Sequence, residues 1–201
     1  MSRAKHNHRA HNHNKEGFKL EIRLAGSGGQ GLITAGMILA KAAVLTGRLN
    51  SVQTQSYGPE ARGGASRSDV IISSYEEIYY PKARKLDLLL AFNEESYYKY
   101  IPLLKDEGVL IVDEDYVPEV REKNAVRFPF IRTAKTEIGT PIAANIIAVG
   151  FIGGLIKVVG EKALKEAVAS SFNEAFREKN LKALEIGYRV GSKQSDRMRL
   201  V

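Results

Sequence analysis

The chain has 201 residues, 44% hydrophobic and 26% charged, an ordinary globular balance that suits one α/β domain with a full core. It contains no cysteine, which excludes disulfides, thiolate zinc sites, cysteine nucleophiles and cysteine-held iron–sulfur clusters on this chain. The net charge of +7 is unevenly spread: Arg3, Lys5, Arg9, Lys15 and Lys19 against Glu16 put four of the seven charges in the first 19 residues, and the modest remainder argues against a nucleic-acid surface.

Residues 1–18 hold all four histidines, His6, His8, His11 and His13, and no apolar run of the signal-peptide kind. They are expected to be a disordered His-rich tail or tag, which leaves no histidine for catalysis in the body and points to a cytoplasmic protein. "KLEIRLAG" (19–26) alternates and stops at glycine, as a strand does. "GQGLITAGMILAKAAVLTG" (29–47) carries one charge, Lys41, and predicts a helix buried around most of its circumference. "LNSVQTQS" (49–56) and "SRSDVIISS" (66–74) predict two more strands, and "LDLLLAF" (86–92) has the short apolar run of a central parallel strand. A helix interrupted by Pro102 is expected over 94–108, a strand over 109–115, and an edge strand over 125–131, where Pro129 lacks a ladder donor.

Thr140-Pro141 predicts an N-cap with proline at the first helical position. The helix behind it (141–160) holds four glycines and Asn145, and its uncharged run is too short for a membrane span. Its apolar surface predicts close packing on another helix or on another subunit. Amphipathic segments 161–173 and 174–189 complete a body of 19–191, and residues 192–201 are expected to be a frayed tail. Strands alternating with helices imply an α/β, Rossmann-like doubly wound sheet, mostly parallel, with helices on both faces.

Two stretches carry chemistry. "GSGGQG" fits G-x-G-x-x-G through Gly26, Gly28 and Gly31, with Gly29 and Gln30 between. Such a turn brings backbone N–H groups close to a phosphate at a helix N-terminus. No acidic residue stands between Glu21 and Glu60 to bind a ribose, so a dinucleotide is disfavoured. The second stretch, "TQSYGPEARGGASRS" (54–68), sets Arg62 between Gly58-Pro59 and Gly63-Gly64. There a guanidinium can meet phosphate or carboxylate, Tyr57 offers a flat face, and Glu60 pairs with Arg62 or with a neighbouring subunit. Asn145 is either a satisfied buried amide or a ligand group.

Together these stretches, with "PIAANIIAVG" (141–150), resemble the γ subunit of the 2-oxoacid:ferredoxin oxidoreductases from about Lys19 to Gly191, and most of all its 2-oxoglutarate branch. The resemblance implies oxidative decarboxylation of a 2-oxoacid with coenzyme A to acyl-CoA, carbon dioxide and reduced ferredoxin. It implies thiamine diphosphate, magnesium and iron–sulfur clusters on partner subunits, with coenzyme A as co-substrate and no cofactor, metal or catalytic residue on this chain alone. The partners implied are α and β subunits, a ferredoxin-like δ subunit, and ferredoxin as acceptor; the isolated chain is expected to be inert and to self-associate. Gly26, Gly28, Gly29, Gln30, Gly31, Tyr57, Gly58, Glu60, Arg62, Gly63, Gly64 and Asn145 then bind coenzyme A or dock subunits. The pyruvate, branched-chain and indolepyruvate enzymes are alternatives within the family, and a stand-alone nucleotide-binding oxidoreductase is the rival outside it.

Overall fold

The structure, a computed structural model, describes residues 17–57, 64–74 and 77–195. Six strands form one sheet in the order β2-β3-β1-β4-β5-β6: β1 (Lys19–Ser27), β2 (Asn50–Tyr57), β3 (Ala65–Ser73), β4 (Leu86–Ala91), β5 (Leu104–Asp113) and β6 (Val126–Phe128). Five strands share one direction; β3 alone runs against its neighbours β1 and β2. The sheet is therefore mostly parallel, as the alternation of elements predicts. The connection from β2 to β3 is a hairpin rather than a crossover, which the alternation does not reveal.

One sheet face carries Ile22, Leu24, Val70, Leu88, Leu90 and Ile111, covered by α1 (Leu32–Leu45), α4 (Ala144–Ile156), α5 (Glu161–Ser171) and α6 (Glu174–Ser195). The other carries Ala25, Leu89, Ala91, Leu110 and Val112 under α2 (Glu94–Tyr100), whose Tyr97 and Tyr100 are buried. β1 reads as alternating, yet both its faces are covered. Arg23 enters the second face by pairing with Asp69 through two contacts of 2.7 Å, donating to the Ala83 carbonyl, and lying 4.7 Å from the Tyr100 ring centroid. A charge buried this deeply persists only when paired and hydrogen-bonded.

α4 decides the shape of the helical layer. All thirteen of its residues are buried. A side chain at Gly150 or Gly154 would strike the backbone of α6 at Leu184 or Tyr188, and one at Gly187 or Gly191 would strike that of α4 at Ile147 or Phe151. The contacts advance together along both helices, so α4 and α6 run parallel with their backbones in touch. The apolar character of 141–160 thus finds its partner inside the chain.

Several expected boundaries move. α1 buries only its inner side and leaves Met37, Lys41, Val44 and Leu45 exposed, because the sheet, α4 and α5 reach only part of its circumference. The helix expected over 94–108 ends at Tyr100 and passes through a 3-10 turn (Ile101–Leu103) around Pro102. From Leu104 the chain is already β5, paired with Leu86 across an irregularity in the register. Thr140 stands at the N-cap position but its side chain makes no capping bond, and Pro141–Ala143 is a 3-10 turn before α4. α6 continues through Gly191 to Ser195, past the expected start of the tail. The edge strand before Pro129 is present, and a short helix, α3 (Phe130–Thr133), follows it and runs into a π-helical turn (Ala134–Ile138). Among the described residues no helix is long and apolar enough to cross a membrane.

Candidate functional site

The carboxyl ends of β1 and β4 lie side by side where the strand order reverses, the place at which doubly wound sheets open a crevice. From β1 comes the glycine turn. Gly29 and Gly31 adopt left-handed torsions (φ 88° and 73°) closed to most side chains, and Gly31 is the N-cap of α1. The Gln30 side chain folds back so that its Oε1 accepts the Ser27 N–H at 2.7 Å, filling the space that a side chain at Gly26 would need.

The Gly28 N–H donates to the Gly64 carbonyl at 2.6 Å, and the Gln30 N–H to the Ser27 carbonyl at 3.3 Å. Two donors of the phosphate cradle expected of this pattern are thus taken by the protein's own acceptors. The Gly29 and Gly31 N–H groups, and those of Leu32, Ile33 and Thr34 in the first turn of α1, have no acceptor among the described residues. A dinucleotide loses further ground, since antiparallel β3 separates β2 from β1 and removes the usual ribose-binding position from beside the turn.

From β4 come Phe92 and Asn93. Asn93 caps α2 by accepting the Ser96 N–H at 2.9 Å, and its amide donates to Ser27 Oγ at 2.8 Å, locking the two strand ends together. From the far side, Asn145 is 5% exposed and donates to the Gly31 carbonyl at 3.1 Å. It ties the first turn of α4 to the glycine turn as a buried, hydrogen-bonded amide.

Between these elements lies an open cleft of about 360 Å³, lined by Gly29 and Gln30 from the glycine turn, Phe92, Tyr116, Ile131, Lys135, and Pro141, Ile142 and Ala144 ahead of and at the start of α4. Ile131 and Lys135, four apart, present one side of α3 and the π turn to it; π-helical turns of this kind recur at functional sites. Lys135 gives the cleft a cation, Tyr116 (45% exposed) an aromatic face, and Ile142 (46% exposed) an apolar rim. Tyr57, 66% exposed, and Gly64 stand at the same edge, because Ala65 pairs with Ser27 and Tyr57 with Ser66. Gly58, Glu60, Arg62 and Gly63, between them, lie outside the described residues.

The structure thus gathers Gly26, Gly28, Gly29, Gln30, Gly31, Tyr57, Gly64 and Asn145 at one edge, but only Gly29 and Gln30 of these line the cleft. Tyr116, Ile131, Lys135 and Ile142 are missed by sequence reasoning. Tyr116, Ile131 and Lys135 come from a turn and a helix start that carry no motif, Ile142 stands unremarked within "PIAANIIAVG", and only the topology brings them together. Asn93 had a local signal, an Asn ahead of an acidic first helical turn.

A family profile described as pyruvate ferredoxin/flavodoxin oxidoreductase matches residues 21–190. The chain is 46% identical over 184 residues to 2-oxoglutarate synthase subunit KorC of Methanocaldococcus jannaschii, covering 88% of this chain and 97% of that one. The crystal structure of the γ subunit of a keto/oxoacid ferredoxin oxidoreductase from Geobacter sulfurreducens superposes with a TM-score of 0.76 at 45% identity, over 87% of this chain and 99% of that one. A 2-oxoglutarate:ferredoxin oxidoreductase from Magnetococcus marinus, solved with 2-oxoglutarate, coenzyme A and succinyl-CoA bound, matches with a TM-score of 0.76 at 27% identity; there the shared part is 31% of a longer chain.

Proposed function

Because the chain belongs to the pyruvate ferredoxin/flavodoxin oxidoreductase family, as a γ subunit of a 2-oxoacid:ferredoxin oxidoreductase, we propose that it serves a 2-oxoglutarate enzyme, receiving coenzyme A at the carboxyl-edge cleft and docking partner subunits along that edge. The enzyme's overall reaction converts 2-oxoacid and coenzyme A to acyl-CoA and carbon dioxide, with two electrons passed to ferredoxin. Thiamine diphosphate with magnesium, on the α and β subunits, supplies the carbon chemistry, and iron–sulfur clusters on partner chains carry the electrons. This chain, without cysteine and without histidine beyond residue 13, binds, orients and encloses.

The observation that carries the reading is the cleft itself. A lysine, an exposed tyrosine ring and a backbone N–H converge on a space whose rim is apolar. This suits a ligand that is phosphorylated at one end, carries a planar base and has a long neutral arm. Docking is supported by Tyr57, Tyr116 and Ile142, three large exposed side chains at one edge. It is also supported by the Magnetococcus marinus protein, where the matching part is 31% of one longer chain.

In the assembled complex, Lys135→Ala and Arg62→Ala should each raise the KM for coenzyme A roughly 10- to 100-fold, since a charge-assisted contact contributes about 1.5–3 kcal/mol and 1.4 kcal/mol is one decade. The KM for the oxoacid should move much less. Arg62→Lys should restore part of the loss, because an ammonium lacks the bidentate fork. Unchanged coenzyme A kinetics with a complex that dissociates on dilution would leave the edge a docking surface only.

A further inference from the structure

We propose that Asp113 is the positioning residue of the cleft, holding the segment that carries Tyr116 and the start of the one that carries Lys135 against each other; the inference rests on the reading that the cleft receives coenzyme A. Asp113 is the last residue of β5 and is fully buried. Its Oδ2 accepts the Ile131 N–H at 2.8 Å and its Oδ1 accepts the Asp115 N–H at 3.1 Å. Its backbone carbonyl accepts the N–H groups of Tyr116 at 3.2 Å and Val117 at 2.9 Å.

One residue therefore fixes both the turn that carries Tyr116 and the start of the helix that carries Ile131 and Lys135, and all three residues line the cleft. The same two segments are joined again at the surface, where Arg132 contacts Glu114 at 2.6 Å and Asp115 at 3.2 Å. A carboxylate is an expensive group to bury. Asparagine, nearly identical in shape, offers one acceptor oxygen where Asp113 uses two, and its amide would confront the second N–H donor. What the carboxylate supplies is the simultaneous tie to both segments.

The test uses the assembled complex with coenzyme A varied at saturating 2-oxoglutarate. Asp113→Asn should raise the KM for coenzyme A about tenfold, with kcat at saturating coenzyme A and the KM for 2-oxoglutarate within about twofold of the parent. Arg132→Gln, which breaks only the exposed tie, should move the same constant in the same direction by about threefold, and it carries the test if the Asp113→Asn complex does not assemble. If Lys135→Ala raises that KM while neither tie variant does, the cleft stands as the coenzyme A site and the positioning role is overturned. If Lys135→Ala also leaves it unchanged, the cleft reading falls and this inference with it. A parallel loss in kcat and in both KM values would reduce Asp113 to a structural residue and overturn the proposal as well.

Discussion

Burial raises the Asp113 pKa above the ordinary carboxylate value, against the opposing pull of the Ile131 and Asp115 N–H groups, with the Asp115 charge a smaller push upward. A folded state that holds the proton more tightly than the unfolded chain has that contribution in full below the unfolded carboxylate pKa. It loses the contribution as pH rises through the folded value. The amide introduced by Asp113→Asn does not titrate, so the Tm of the parent relative to that variant should fall as pH is raised from about 4. Paired thermal melts across that range check it, and a parent advantage that grows with pH would contradict the burial seen here. None of this was legible in the sequence. "VLIVDED" announces a strand with an acidic end, but which of its carboxylates turns inward is decided by Ile131, eighteen residues away.

Elements were more legible than their partners. The apolar run at 86–92 is a central strand, as a segment that buries both faces must read, its central neighbour at 19–26 hides that burial behind an alternating pattern, and Pro129 does mark an edge strand. The run 104–108 reads as the end of a helix because Lys105, Asp106 and Glu107 are polar; they sit on an exposed stretch of strand where burial imposes no pattern. The glycines of α4 signal close approach, whereas the complementary Gly187 and Gly191 are hidden in an otherwise ordinary amphipathic helix. That crossing makes a clear prediction. Gly187→Ala gains helix propensity worth about 1 kcal/mol, but its methyl group meets the Ile147 carbonyl. Overpacking against backbone should win, with a net loss on the order of 1–3 kcal/mol in denaturant unfolding. Gly160→Ala, at a position with nothing within 4 Å, is the control and should be near neutral. A stabilised Gly187→Ala would mean that the helices stand further apart.

At the scale of the molecule, family and sheet class were readable because two glycine-rich stretches at one sheet edge are specific, while the cleft was not, because its lining is assembled from separate turns and strand ends. That assembly has a dynamic consequence. One side of the cleft rests on α4, whose residues are all buried between the sheet and its neighbouring helices. Another part of the lining is the π turn, where Lys135, Thr136 and Glu137 are exposed and the backbone leaves through Gly139 in a left-handed conformation. Amides in α4 should therefore exchange with solvent deuterium only through global unfolding, and those of 134–138 through local opening orders of magnitude faster. Coenzyme A added to the complex should slow exchange in 131–138 and leave 146–156 untouched, as mass spectrometry of peptides from the two segments would reveal. Equal protection of both would mean a cleft already rigid before its ligand arrives. The expected asymmetry describes a vice with one fixed jaw, in which the π turn, anchored at its start through Ile131 and Asp113, gives only beyond that anchor.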